Sequence, residues 1–187
     1  MHLSPAWTVA LLTTAGALTK AADLVEDERM LPGWAGPPLG ASFGLAMGIA
    51  SWSEGGFLEV TLSIVIAVLL AGKVDARSHY CGLAAYLVAL SLSPVRPEWI
   101  LIPLTVLAYL DEPASDAADR GAVAGTAGRI LKARPFLKLG ILALLLAGLL
   151  TPYAALGGWG FDVGYEAAGL LIPVAAGRGS QVRQREP

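Results

Sequence analysis

Apolar residues in this chain come in long blocks, at 3–22, 31–52, 57–72, 80–94, 97–111, 136–156 and 161–177, separated by short polar stretches. A helix crossing a bilayer needs about 20 such residues, with about 17 as a lower limit. The pattern predicts an all-α polytopic integral membrane protein of about seven transmembrane helices. They form a single domain, 1–177, followed by a short basic tail, 178–187. The second block holds Pro37 and Pro38, which start a helix more readily than they sit inside one. Its Gly40, Gly44 and Gly48 recur every four residues, a spacing that lets two helix backbones approach closely. That stripe predicts tight packing, within the chain or in a homo-oligomer. The fourth and fifth blocks are short and joined by SPVRPEW. They read as two tilted helices or as a re-entrant hairpin over 80–111, and either returns the chain to the face it left.

Charge adds a direction. If seven spans alternate, one side receives twelve of the thirteen cations: Lys20, Arg29, Lys73, Arg77, Arg120, Arg129, Lys132, Arg134, Lys138, Arg178, Arg183 and Arg185. The other side receives Arg96. Basic loops stay cytoplasmic, so the N-terminus is expected outside and the C-terminus inside a cell membrane. The first block lacks the positive flank of a secretory signal peptide and reads as the first span. Ile130, Leu131 and Phe136 lie among cations in GRILKARPFLK, which suits a short interfacial helix before the sixth span.

Composition agrees. Hydrophobic residues make up 55% of the chain and charged ones 15%, against about 25% charged in a typical soluble domain. No basic tract with interleaved aromatics is present, which excludes the usual nucleic-acid footprint. Cys81 is the single cysteine, so no internal disulfide forms, and it reads as a small packed hydrophobe.

The candidate chemistry lies on the basic side. Lys20, Asp23 and Asp27 share one helical stripe, and so do Glu112, Asp116 and Asp119, with Asp116 placed to pair with Arg120. Asp75 and His79 are four residues apart in GKVDARSHY, between two apolar blocks. The positive-inside rule explains cations but not these acids. Asp23, Asp27, Asp116 and Asp119 are oxygen ligands suited to Mg²⁺, which one or two carboxylates and substrate phosphates commonly hold. Lys73, Arg77, Arg134 and Lys138 suit phosphate. His79, with Asp75, is the expected catalytic pair, since an imidazole exchanges protons near neutral pH. A second, intramembrane polar site is expected at Asp162 and Glu166, with Glu59, near the outer leaflet.

These features predict a Mg²⁺-dependent enzyme acting on a phosphorylated or isoprenoid membrane lipid at the cytoplasmic face. A small transporter using Glu166 and the interrupted second span is the alternative, and a structural subunit the third. HExxH, GxSxG, CxxC and Walker patterns are absent from the chain.

Overall fold

A computed structural model describes residues 3–175, so the expected tail at 178–187 lies outside the described residues. Among them are eight α-helices and no strand, in keeping with the all-α expectation. Helix α1 is Pro5–Glu26, α2 Gly36–Ala50, α3 Phe57–Leu70, α4 Arg77–Ser91 and α5 Leu101–Asp119. Helix α6 is Gly125–Lys132, α7 Pro135–Leu146 and α8 Pro152–Ala175, and a 3-10 turn, Gly33–Ala35, leads into α2.

Local chemistry sets these boundaries. The Ser4 hydroxyl accepts the Trp7 N–H at 3.4 Å and Pro5 opens α1. Pro37 and Pro38 occupy the first turn of α2, as expected. Gly148 takes a left-handed conformation just after α7, and the Thr151 hydroxyl accepts the Ala154 N–H at the start of α8. Glu26 of α1 reaches across to cap α4, its Oε1 accepting the Ser78 N–H at 3.1 Å. Glu26→Ala is expected to cost about 1 kcal/mol, the usual worth of a cap. A melting temperature identical to wild type under the same conditions would show that this bond contributes nothing.

Seven of the helices, all but α6, run alternately between two ends of the bundle. One end gathers the C-terminus of α1, the N-termini of α2 and α4, and the C-terminus of α5. Its ties include Glu26 to Ser78 and Lys73 to Asp116. The opposite end is joined by Thr8 to Ser53 at 2.8 Å, Ser51 to Thr61 at 2.7 Å, and the Thr151 hydroxyl to the Gly55 carbonyl at 2.9 Å. Between the ends, α1, α2, α4 and α8 pack as one group, and α3, α5, α6 and α7 as another.

Glycine makes the first group dense. A Cβ at Gly40 would run into the carbonyl of Ser78, and one at Gly44 into that of Gly82. The predicted stripe packs on α4. Gly16 and Gly164 do the same between α1 and α8, against the carbonyls of Phe161 and Thr13. The core beneath holds Leu12, Phe57, Val60, Leu104 and Ile141, all essentially sealed from solvent.

The expectation of seven full-length spans is not met. Among the described residues α1 alone is long and apolar enough to cross a membrane, and a signal sequence or a buried core helix has the same character. Helices α3 and α7 are apolar but have 14 and 12 residues. At 1.5 Å per residue they cover about 21 and 18 Å, short of the roughly 30 Å hydrocarbon layer. The apolar block 136–156 is broken by punctuation that hydropathy ignores: Gly148 and Thr151-Pro152 end one helix and begin another. The re-entrant hairpin is also not formed, since α4 packs on α2 whereas α5 packs on α3. Helix α5 instead runs through Pro113 to Asp119, and α6 supplies the short helix expected before the sixth span.

Candidate functional site

A cavity of about 560 Å³ opens at the end where α1 finishes and α4 begins, between the two helix groups. That volume is typical of ligand pockets, which run about 300–1,000 Å³. Its inner part is apolar, walled by Phe43, Met47, Ile64, Val65, Leu83 and Tyr86. Its mouth is charged, with Asp23, Asp27, Lys73, Asp75, His79, Asp119, Lys132, Arg134, Lys138, Asp162 and Glu166 all lining it.

The C-terminal turns of α1 supply the first group. Asp23 Oδ1 lies 3.0 Å from His79 Nε2, and Asp23 Oδ2 accepts the Tyr165 hydroxyl at 2.6 Å. The Lys20 ammonium sits 5.2 Å from the centroid of the Tyr165 ring, a cation–π contact. His79 Nδ1 is buried without a hydrogen-bond partner, 3.6 Å from the exposed Asp75 carboxylate. Asp27, one turn beyond Asp23, has its carboxyl raised above the ordinary range by desolvation and then by the charge of Asp23.

The loop between α3 and α4 supplies the second. Lys73 Nζ lies 2.7 Å from both Glu112 Oε2 and Asp116 Oδ1. Asp116 therefore pairs with Lys73, not with Arg120, because α5 continues far enough to carry it under that loop. Burial alone would lower the Lys73 pKa, but these two carboxylates outweigh it and hold the ammonium above its usual value. Glu112 also receives Arg134, with contacts of 3.3 and 3.4 Å from its two terminal nitrogens. Asp111 is buried for a different purpose: its two oxygens accept the Phe136 and Leu137 N–H groups at 2.9 and 2.8 Å, capping α7.

The third group comes from α7 and α8. Lys138 Nζ lies 3.2 Å from Asp162 Oδ2 and also donates to the Ala133 carbonyl. Lys132 lies 3.1 Å from Asp119. Asp162 and Glu166 were expected at the far side of the membrane from His79, yet they line its cavity. Helix α8 begins at Pro152, not 161, so Asp162 stands about 15 Å along it at 1.5 Å per residue. Glu59 does stay at the opposite end, buried, where it accepts the Glu98 N–H at 2.9 Å.

Thus Asp23, Asp27, Asp75, His79 and Asp119 share one cavity with Lys73, Arg134 and Lys138. Asp116 reaches it through Lys73. Arg77 is exposed in the first turn of α4 and does not line it. Among the described residues no three His, Cys, Asp or Glu side chains are grouped to hold a metal ion. Asp23 is occupied by His79 and Tyr165, Asp116 by Lys73 and Asp119 by Lys132. Tyr165 is the residue that sequence reasoning passed over. Its only signal was its place between Asp162 and Glu166. No protein-family model, curated protein or solved structure matches the chain.

Proposed function

We propose that this is a multi-pass membrane enzyme acting on a phosphorylated or isoprenoid lipid. The observation that carries the reading is the two-part cavity, apolar within and charged at its mouth. An amphiphile fits such a shape with its chain against Met47, Val65 and Leu83 and its head group among the charges.

The outer surface supports a membrane setting. Leu146, Leu170, Leu171, Val88 and Ile102 are each 62–80% exposed. Large exposed apolar surfaces mark contact with a membrane or another protein. Exposed aromatics stand at both ends, Trp7, Trp99 and Tyr153 at one and Trp34 and Tyr80 at the other, the arrangement of membrane-interface belts. In this reading the seven alternating helices lie in the bilayer, with the cavity mouth cytoplasmic and the N-terminus outside. The shorter helices are accommodated by local thinning of the lipid.

At the mouth, cations retain capacity for phosphate. Arg134 has five N–H donors and Lys138 three, of which the protein contacts described above use only some. His79 takes the proton of an attacking hydroxyl. The hydroxyl oxygen forms a new bond to the carbon that carried the phosphate or diphosphate, which leaves with the electron pair of the broken C–O bond, stabilised by Arg134 and Lys138. Mg²⁺ enters this reading with the substrate. One or two carboxylates, Asp27 first among them, would hold it together with substrate phosphates. Toward the opposite end the sealed layer of Leu12, Phe57 and Ile141 favours a one-sided site over a conduit.

The test is mass spectrometry of lipid retained by the purified protein, with and without Mg²⁺. Wild type is expected to retain a phosphorylated amphiphile. Lys138→Gln is expected to retain about tenfold less, from loss of one charge-assisted contact worth about 1.5 kcal/mol. Wild type free of any such lipid, or equal retention by Lys138→Gln, Asp75→Asn and wild type, would sink the reading.

A further inference from the structure

Asp23 stands between two donors. Its Oδ2 accepts the Tyr165 O–H at 2.6 Å, and its Oδ1 lies 3.0 Å from His79 Nε2. An ionised carboxylate can only accept, so in the neutral imidazole Nε2 carries the hydrogen. The hydrogen-free nitrogen is then Nδ1. That atom is buried, without a partner, and belongs to a side chain lining the cavity. Asp75, 3.6 Å away, is beyond hydrogen-bond distance and largely exposed.

We propose that Tyr165 and Asp23 form a positioning relay that fixes His79 in the Nε2–H tautomer and leaves Nδ1 as the ring nitrogen able to accept a proton. The use of that acceptor rests on the enzymatic reading above, whereas the relay itself does not. Asp23 is accordingly a positioning residue and not a metal ligand. Both of its oxygens serve the relay.

The fold supports a fixed geometry. Gly16 and Gly164 lock α1 against α8 through backbone contacts, which sets Asp23 and Tyr165 in register. Lys20 stacks on the Tyr165 ring and holds its plane. Gly40 and Gly44 lock α4 against α2 on either side of the turn that carries His79. In a histidine–carboxylate pair, the nitrogen that is bonded decides which one does chemistry.

The chain has two histidines, so a His2→Gln protein leaves His79 alone. Nitrogen-15 NMR of that protein, labelled at histidine and held where the ring is neutral, reads the tautomer directly. The expected spectrum has a pyridine-type Nδ1 and a pyrrole-type Nε2. Tyr165→Phe is expected to move both resonances toward the average of the two tautomers, since Asp23 is then free to turn. The opposite tautomer in the parent protein overturns the proposal without need of a variant. Unchanged resonances in a folded Tyr165→Phe protein overturn the part played by tyrosine. Failure of the lipid experiment would leave these spectra unaltered, so the two ideas fail separately.

Discussion

Gly44→Val is expected to destabilise the protein by about 3 kcal/mol, at the upper end of overpacking costs. The reason is what lies opposite. A side chain at Gly44 meets the backbone carbonyl of Gly82, which cannot rotate aside as a flexible side chain can. To admit it, α2 and α4 must separate, and the neighbouring contacts of Gly40 with Ser78 and Gly48 with Ala89 go with them. Gly33→Ala is the matched control, because a Cβ there has nothing within 4 Å. It is expected to lie within about 0.5 kcal/mol of wild type, as surface substitutions usually do. Thermal unfolding in one detergent compares the three proteins. Coincident melting curves for Gly44→Val and Gly33→Ala would show that the seam is looser than described.

Asp111→Ala is expected to cost a similar amount, about 2–4 kcal/mol, through unsatisfied backbone donors at the start of α7. Asp111 is 2% exposed and accepts from both Phe136 and Leu137. Alanine accepts from neither. Asp111→Asn keeps one carbonyl oxygen and is expected to recover about half of the loss. Amide exchange reports the cause: Phe136 and Leu137 should exchange faster in Asp111→Ala before the rest of the bundle does. Uniform acceleration along the whole chain, with no local excess at those two amides, would mean that the cap is not the mechanism.

Asp111 and Asp116 show how far the sequence could be read. Both sit in one acidic run, and residue type gives no sign that one caps a helix while the other binds Lys73. The distinction depends on where α7 docks, a long-range fact. The i, i+3 and i, i+4 spacings were legible, because helix periodicity is local. They put Lys20, Asp23 and Asp27 on one stripe, and Glu112, Asp116 and Asp119 on another. Asp75, His79 and the basic residues of 132–138 were placed at one end by the alternation of the apolar blocks, and the charge asymmetry agreed with it.

Helix lengths were less legible. Apolar runs merge across a turn whenever its residues are themselves apolar, as at Ala147 to Pro152. Reading Gly148 as a helix stop and Thr151-Pro152 as a start would have moved α8 forward. Asp162 and Glu166 would then have fallen beside Asp23 rather than across the membrane from it. Tyr165 could not have been assigned from spacing, since its partner lies 142 residues away.

The seam between α2 and α4 has a consequence for how much variation each position tolerates. Gly40 and Gly44 carry no functional group, yet one residue type fits them, because even a methyl group collides with a carbonyl. Asp27 and Asp75, exposed at the cavity mouth, are free to change as far as folding is concerned. The alphabet is therefore narrowest where there is no chemistry. A library that keeps Gly40, Gly44, Asp23 and Tyr165 can vary exposed mouth residues such as Asp27 and Asp75 while His79 keeps its place.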